Sequence, residues 1–133
     1  TMSVARSAKP NVLSAITVKV IASGAKIPTN NIAHDKPFTV AIGIDKRTLG
    51  LEQGAVARCI AELHAIPIEG GSSQYVGQYS GVISEDGTFT VSAPARMLPQ
   101  GFYYLQTGLT VSYQDSSRTP RKVVGENIPI NVY

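Results

Sequence analysis

Apolar and polar residues alternate with a period of two along most of the chain, which predicts seven strands separated by turn signals. In Ala15–Ala22, Ile16, Val18 and Val20 fall on one face, and Thr17 and Lys19 on the other. Phe38–Asp45 sets Phe38, Val40, Ile42 and Ile44 in step. In Ala55–Ile68 the odd positions Ala57, Cys59, Ala61, Leu63 and Ala65 form an apolar face, leaving Arg58, Glu62 and His64 toward water. Ala, Glu and Leu are also helix formers, so a helix is the rival here. The period of two suits the charges better and Pro67 ends the segment, so a strand is predicted. Gln74–Ile83, Phe89–Ala93, Phe102–Tyr113 and Ile128–Tyr133 complete the set. Within Phe102–Tyr113, the residues Tyr103, Leu105, Thr107, Leu109, Val111 and Tyr113 share a face.

The segments between strands carry turn chemistry. "EGGSS" predicts a hairpin loop, and "SEDGT" predicts an Asp-Gly hairpin turn. Pro94 and Pro99 bend the chain into a corner. "SGAKIPTNNIAHDKP" and "QDSSRTPRKVVGEN" read as long polar loops. Residues 1–14 are small, polar and without period, and are expected to form a flexible arm before one domain over 15–133. Short strands with regular turns and no amphipathic helix predict an all-β, antiparallel sandwich. An up-and-down barrel is the competing architecture, but it favours an even number of strands.

At Gly101-x-Tyr103-x-Leu105 the pattern becomes specific. "QGFYYL" resembles the tyrosine corner of immunoglobulin-like domains, with Tyr103 in the corner position and Leu105 where the second cysteine would sit. The preceding "MLPQG" is similar to the entry of bacterial immunoglobulin-like, fibronectin-III-like and macroglobulin-type domains. The resemblance implies a Greek-key sandwich of about seven strands, with the Tyr103 hydroxyl tying the incoming loop to the sheet. The chain departs from the antibody pattern in having no cysteine pair and no Trp, so that Leu63 or Cys59 must fill the centre of the third strand. Pro99 stands where an acidic residue is common. The resemblance is therefore to the superfamily, whose members include adhesins, receptors, enzyme accessory modules and chaperones.

Composition narrows the function classes. At 133 residues the chain can bury a core without metal or disulfide, and its single cysteine, Cys59, allows no intrachain bridge. The net charge of +3 is spread without a run of Lys and Arg, which describes a solvated basic surface and not a nucleic-acid footprint. No stretch approaches the ~20 apolar residues of a membrane-spanning helix. "TMSVARSAKP" lacks the apolar centre of a signal peptide. If Met2 is the native start, a cytoplasmic location is favoured; otherwise the cell surface or secretion is.

Chemistry-bearing residues are sparse. Glu62 and His64 share a strand face, and Asp35 adjoins His34, but no third ligand is set by spacing, so no metal site is expected. Cys59 and His64 fall on opposite strand faces, which breaks the contact a thiol nucleophile needs. Nucleophile elbow, phosphate loop and zincin motif are all missing from the sequence. The expectation is a non-enzymatic binding or adhesion module, without cofactor, for a protein or glycan partner. In an immunoglobulin-like arrangement three loops meet at one end and bring together Lys46, Arg47, Arg118, Arg121 and Lys122, with Glu85 and Asp86 between. Tyr75, Tyr79, Phe102 and Tyr104 are the candidate exposed aromatics for a glycan, with Tyr133 at the chain's end. Tyr75 and Tyr79 are expected on the same face as Gly77 and Gly81. The alternative is a structural protein that self-associates through sheet edges or a Tyr-bearing sheet face.

Overall fold

The alternating segments become two sheets whose apolar faces meet. The computed structural model describes residues 16–47, 57–83, 87–113 and 119–133, and these are all-β, with no helix. In chain order the strands are β1 (Ile16–Ala22), β2 (Asn31–Ile32), β3 (Phe38–Ile44), β4 (Ala57–Pro67) and β5 (Gln74–Val82). They continue with β6 (Thr88–Ala93), β7 (Gly101–Tyr113), β8 (Arg121–Val124) and β9 (Ile128–Val132). A three-stranded sheet runs β1–β3–β6. A six-stranded sheet runs β2–β9–β7–β4–β5, with β8 also paired to β7. All pairings are antiparallel except that of β2 with β9.

The period of two sets the core. Val40 and Ile42 of β3 and Val91 of β6 join Ala61, Leu63, Leu105, Leu109 and Ile130 of the larger sheet in one buried cluster. Full burial of each large aliphatic side chain contributes about 1.5–3 kcal/mol. The odd residues of β4, Ala57 to Ala65, are buried as the alternation predicts. Among the described residues Thr107 is the buried polar exception, and its hydroxyl has no hydrogen-bond partner among them.

Among the described residues nine strands take the place of the expected seven, because both long polar loops contain a short strand. β9 covers β7 only from Gly101 to Leu105, leaving the edge of β7 open from Gly108 to Val111. The β-branched end of "RKVV" fills it as β8. Buried Gly125 makes the step to β9, its N–H donating to the Thr107 carbonyl at 2.8 Å. β2 is held by Ile32, buried in the core, and by the Asn30 side-chain amide, which donates to the Pro129 carbonyl at 2.8 Å.

The Asp-Gly signal marks a reversal but not a hairpin. β5 pairs with β4 and β6 with β3, so the connection between β5 and β6 passes from one sheet to the other. Gly87 makes the passage with φ of 66°, and its carbonyl accepts the Ile44 N–H at 2.7 Å. A Cβ there would lie 2.5 Å from the Ile44 carbonyl oxygen, so only glycine fits. The two sheets approach closely just beyond this passage: a Cβ on Gly77 would meet Val91 at 2.9 Å.

Tyr103 closes the loop after β6. Its ring is buried and its hydroxyl donates to the Pro99 carbonyl at 2.7 Å, four residues upstream. Burial pushes this hydroxyl above its ordinary value near 10. The arm expected over residues 1–14 lies outside the described residues.

Tyr103→Phe should cost about 1 kcal/mol in a urea melt at neutral pH, because the Pro99 carbonyl loses its donor. The raised value favours the neutral hydroxyl in the folded state, so its contribution is intact below about pH 10 and is lost as pH rises through the folded value. Melts in alkali should therefore show wild type losing more stability than Tyr103→Phe. Parallel losses in the two proteins would contradict the assignment.

Candidate functional site

The outer face of the six-stranded sheet gathers side chains that the alternation turns away from the core. On β7 these include Phe102 and Tyr104, which are 59% and 38% exposed. Tyr104 stands opposite Ile66 of β4 on one side and Pro129 of β9 on the other. Phe102 stands opposite Asn131, and its carbonyl accepts the Ile68 N–H at 3.0 Å. One step along β7, Gln106 faces His64 and donates to the Asn127 side chain at 3.3 Å. With neighbouring strands about 4.8 Å apart, these residues form a flat patch of aromatic and aliphatic surface edged by amides.

Tyr75 joins this patch through a local irregularity. Leu63 pairs with Gly77 and His64 with Tyr75, so Val76 is an extra residue in β5, a β-bulge. Val76 turns into the core, and Tyr75 emerges 48% exposed beside His64, their rings 5.7 Å apart and edge to face. The bulge overturns the expectation that Tyr75 and Tyr79 share a face. Tyr79, with Gly77 and Gly81, lies on the inner side, opposite Ala61. There its ring stacks on Phe89 of β6 at 4.4 Å and closes the gap between the sheets. Tyr79 is not an exposed platform.

The described residues of the expected basic set lie toward one end of the sheets, as strand direction requires. The Ile44 N–H bonds to Gly87 and the Ile83 N–H to Ala57, while Ala57 pairs with Tyr113 and Val111 with Arg121. Lys46, Arg47, Arg121 and Lys122 thus belong to the same end of the two sheets. Arg121 and Lys122 sit on β8 rather than in a free loop, opposite Val111 and Thr110. The Arg47 N–H bonds the Asp45 carboxylate at 3.1 Å, so the backbone turns tightly after β3. Arg118, Glu85 and Asp86 lie outside the described residues.

The histidines have local roles. At the opposite end from the basic residues, the His34 N–H donates to the Tyr133 carbonyl at 2.7 Å, and ring Nδ1 lies 3.2 Å from the same oxygen. This pins the last residue beside β2. Two adjoining open depressions of about 220 and 320 Å³ flank this end and share Ala22, Ser23 and Pro37. Among the described residues, no three His, Cys, Asp or Glu side chains converge on a common point. No helix among them is long and apolar enough to cross a membrane.

Cys59 is buried on the inner face of β4, and burial pushes its thiol above its ordinary value. His64 stands on the other face, five residues along the same strand. The folded protein should therefore resist an aromatic disulfide reagent at neutral pH, whereas the denatured chain should titrate as one thiol. Rapid labelling of the folded chain would show that β4 opens.

The comparisons with known proteins bear on architecture. No family model matches the chain, and no curated protein sequence does. Among solved structures it is similar to the C-terminal domain of wzt, with a TM-score of 0.53 and 13% identity. That match covers 90% of this chain and 74% of the other. At such identity the likeness concerns the fold alone.

Proposed function

We propose that this chain is an immunoglobulin-like or fibronectin-III-like sandwich serving as a non-enzymatic binding or adhesion module. The assignment of β1, β3 and β6 to one sheet and of β4, β5, β7 and β9 to the other supports the first half of this reading. On it, β2 and β8 are short additions to a seven-strand frame. The Tyr103–Pro99 bond is the expected corner contact, and the likeness to the C-terminal domain of wzt agrees with the same architecture.

The observation that carries the functional half is the exposed outer patch of Phe102, Tyr104 and Tyr75, interleaved with Asn131, Gln106 and His64. Rings of this kind bury large area at little entropic cost, and the amides beside them supply direction. A sugar ring or an extended peptide can lie flat on such a surface. The partner class is therefore a glycan or a protein with apolar and hydrogen-bonding groups side by side. The basic end is the second reading, supported by the placement of Lys46, Arg47, Arg121 and Lys122 toward the same end of the sheets, and it suits an anionic partner.

A glycan array probed with the wild-type chain tests the first reading. Ligands found there should bind the Phe102→Ala/Tyr104→Ala double variant at least about tenfold more weakly, since each stacked ring is worth about 0.5–1.5 kcal/mol beyond its area. Reversal of Arg47, Arg121 and Lys122 to Glu should leave them unchanged. The opposite pattern, loss only on charge reversal, would move the site to the basic end.

A further inference from the structure

The six-stranded sheet ends at β5, the longest edge without charge or proline among the described strands; β6, the uncharged edge of the other sheet, is only six residues long. Nine residues long, "QYVGQYSGV" has no Lys, Arg, Asp, Glu or Pro. Natural edge strands are normally kept short or guarded by charge or proline. β1 carries Lys19, and its Val20 carbonyl is taken by the Thr29 N–H at 2.8 Å. β8 and β2 are short, and β8 bears Arg121 and Lys122. The bulge at Val76 interrupts β5 only near its start, where the Gln74 side chain ties it to Met97.

The free hydrogen-bonding groups of β5 can be named. The Ile83 N–H bonds to the Ala57 carbonyl, so odd residues back to Gly77 direct their amides toward β4. Gln78, Ser80 and Val82 therefore direct N–H and C=O away from β4, into the open edge. Among the described residues nothing bonds to these groups.

We propose that this edge pairs with β5 of a second copy of this chain, antiparallel about a two-fold axis at Ser80. This register sets Ser80 opposite its own mate and Gln78 opposite Val82 of the other copy. All three open residues then form bonded pairs, each exchanging two hydrogen bonds. Registers shifted by one pairing step leave part of the set unused.

Charge selects the same register. On the outer face Glu62 stands beside Gln78 and Arg58 beside Val82. Centring on Ser80 puts Glu62 of one copy in the same cross-strand row as Arg58 of the other, twice by symmetry. Centring on Gln78 would align the two Glu62 side chains, and centring on Val82 the two Arg58 side chains. The Cα atoms of a Glu62–Arg58 row lie roughly 14 Å apart, three strand spacings, so the two charges act on each other across the intervening Gln78 and Val82 side chains. A closed two-fold pair uses up both edges and stops there, so the surface makes a dimer and not a fibre.

The test is the association state of the intact chain. Sedimentation equilibrium up to about millimolar concentration should show a monomer–dimer equilibrium. Hydrogen exchange at Gln78, Ser80 and Val82 should slow as concentration rises. Ser80→Pro removes an N–H that β4 does not use, so the variant should keep its monomer fold and lose the dimer. Glu62→Arg, which keeps the whole edge, should weaken the dimer at least about fivefold, and Arg58→Glu/Glu62→Arg should recover it. A chain that stays monomeric, with these three amides exchanging freely at every concentration, overturns the proposal. So does a dimer that survives both Ser80→Pro and Glu62→Arg, because its interface then lies elsewhere.

Discussion

The ladder between β4 and β7 is the constraint on which the rest depends. It runs the full length of β4, from Ala57 opposite Tyr113 to Pro67 opposite Tyr103, at the middle of the larger sheet. Because side chains alternate strictly along both strands, one register decides every residue's side at once. Leu63, Leu105 and Leu109 go to the core, where each is almost completely buried. Phe102, Tyr104, Gln106 and His64 go to the opposite surface. A slip of one residue would exchange the core for the candidate site. The same rule parts Cys59 from His64 and leaves the thiol among aliphatic neighbours.

A single extra residue then redraws the neighbouring strand. Without the bulge at Val76, Tyr75 and Tyr79 would stand on the same side of β5. With it, one aromatic adds to the exposed patch beside His64 and the other stacks on Phe89 between the sheets. The sheets can come close here because Gly77 offers Val91 no Cβ to meet. Patch, inter-sheet contact and exposed backbone edge thus belong to one strand. On that strand the absence of charge has a physical reading as well as a compositional one, since an unguarded edge is able to pair.

How far the sequence could be read depended on the range of the interaction involved. Period-two alternation is a local property, and it identified the core residues of β1, β3, β4, β7 and β9 and the outward course of Phe102 and Tyr104. The Pro99-to-Tyr103 spacing is also local, and Tyr103 stands buried with its hydroxyl on that carbonyl. The Asp-Gly pair correctly marked a reversal, since Gly87 has positive φ. The hairpin expected from it did not form, because the strand that follows a turn pairs wherever an edge is open, and β6 pairs with β3.

The residues therefore determined which side chains would be apolar, on which face of each strand, and where the chain would turn. Tertiary structure decided what the faces and edges met. It drew β2 and β8 out of polar loops, because β9 left each a length of edge to fill, and so placed Arg121 and Lys122 on a strand. It set the bulge that separates Tyr75 from Tyr79, since register is agreed between two strands and written in neither alone. It also left β5 as the long unguarded edge. Alternation is encoded residue by residue, whereas partnership depends on what the rest of the fold has already occupied.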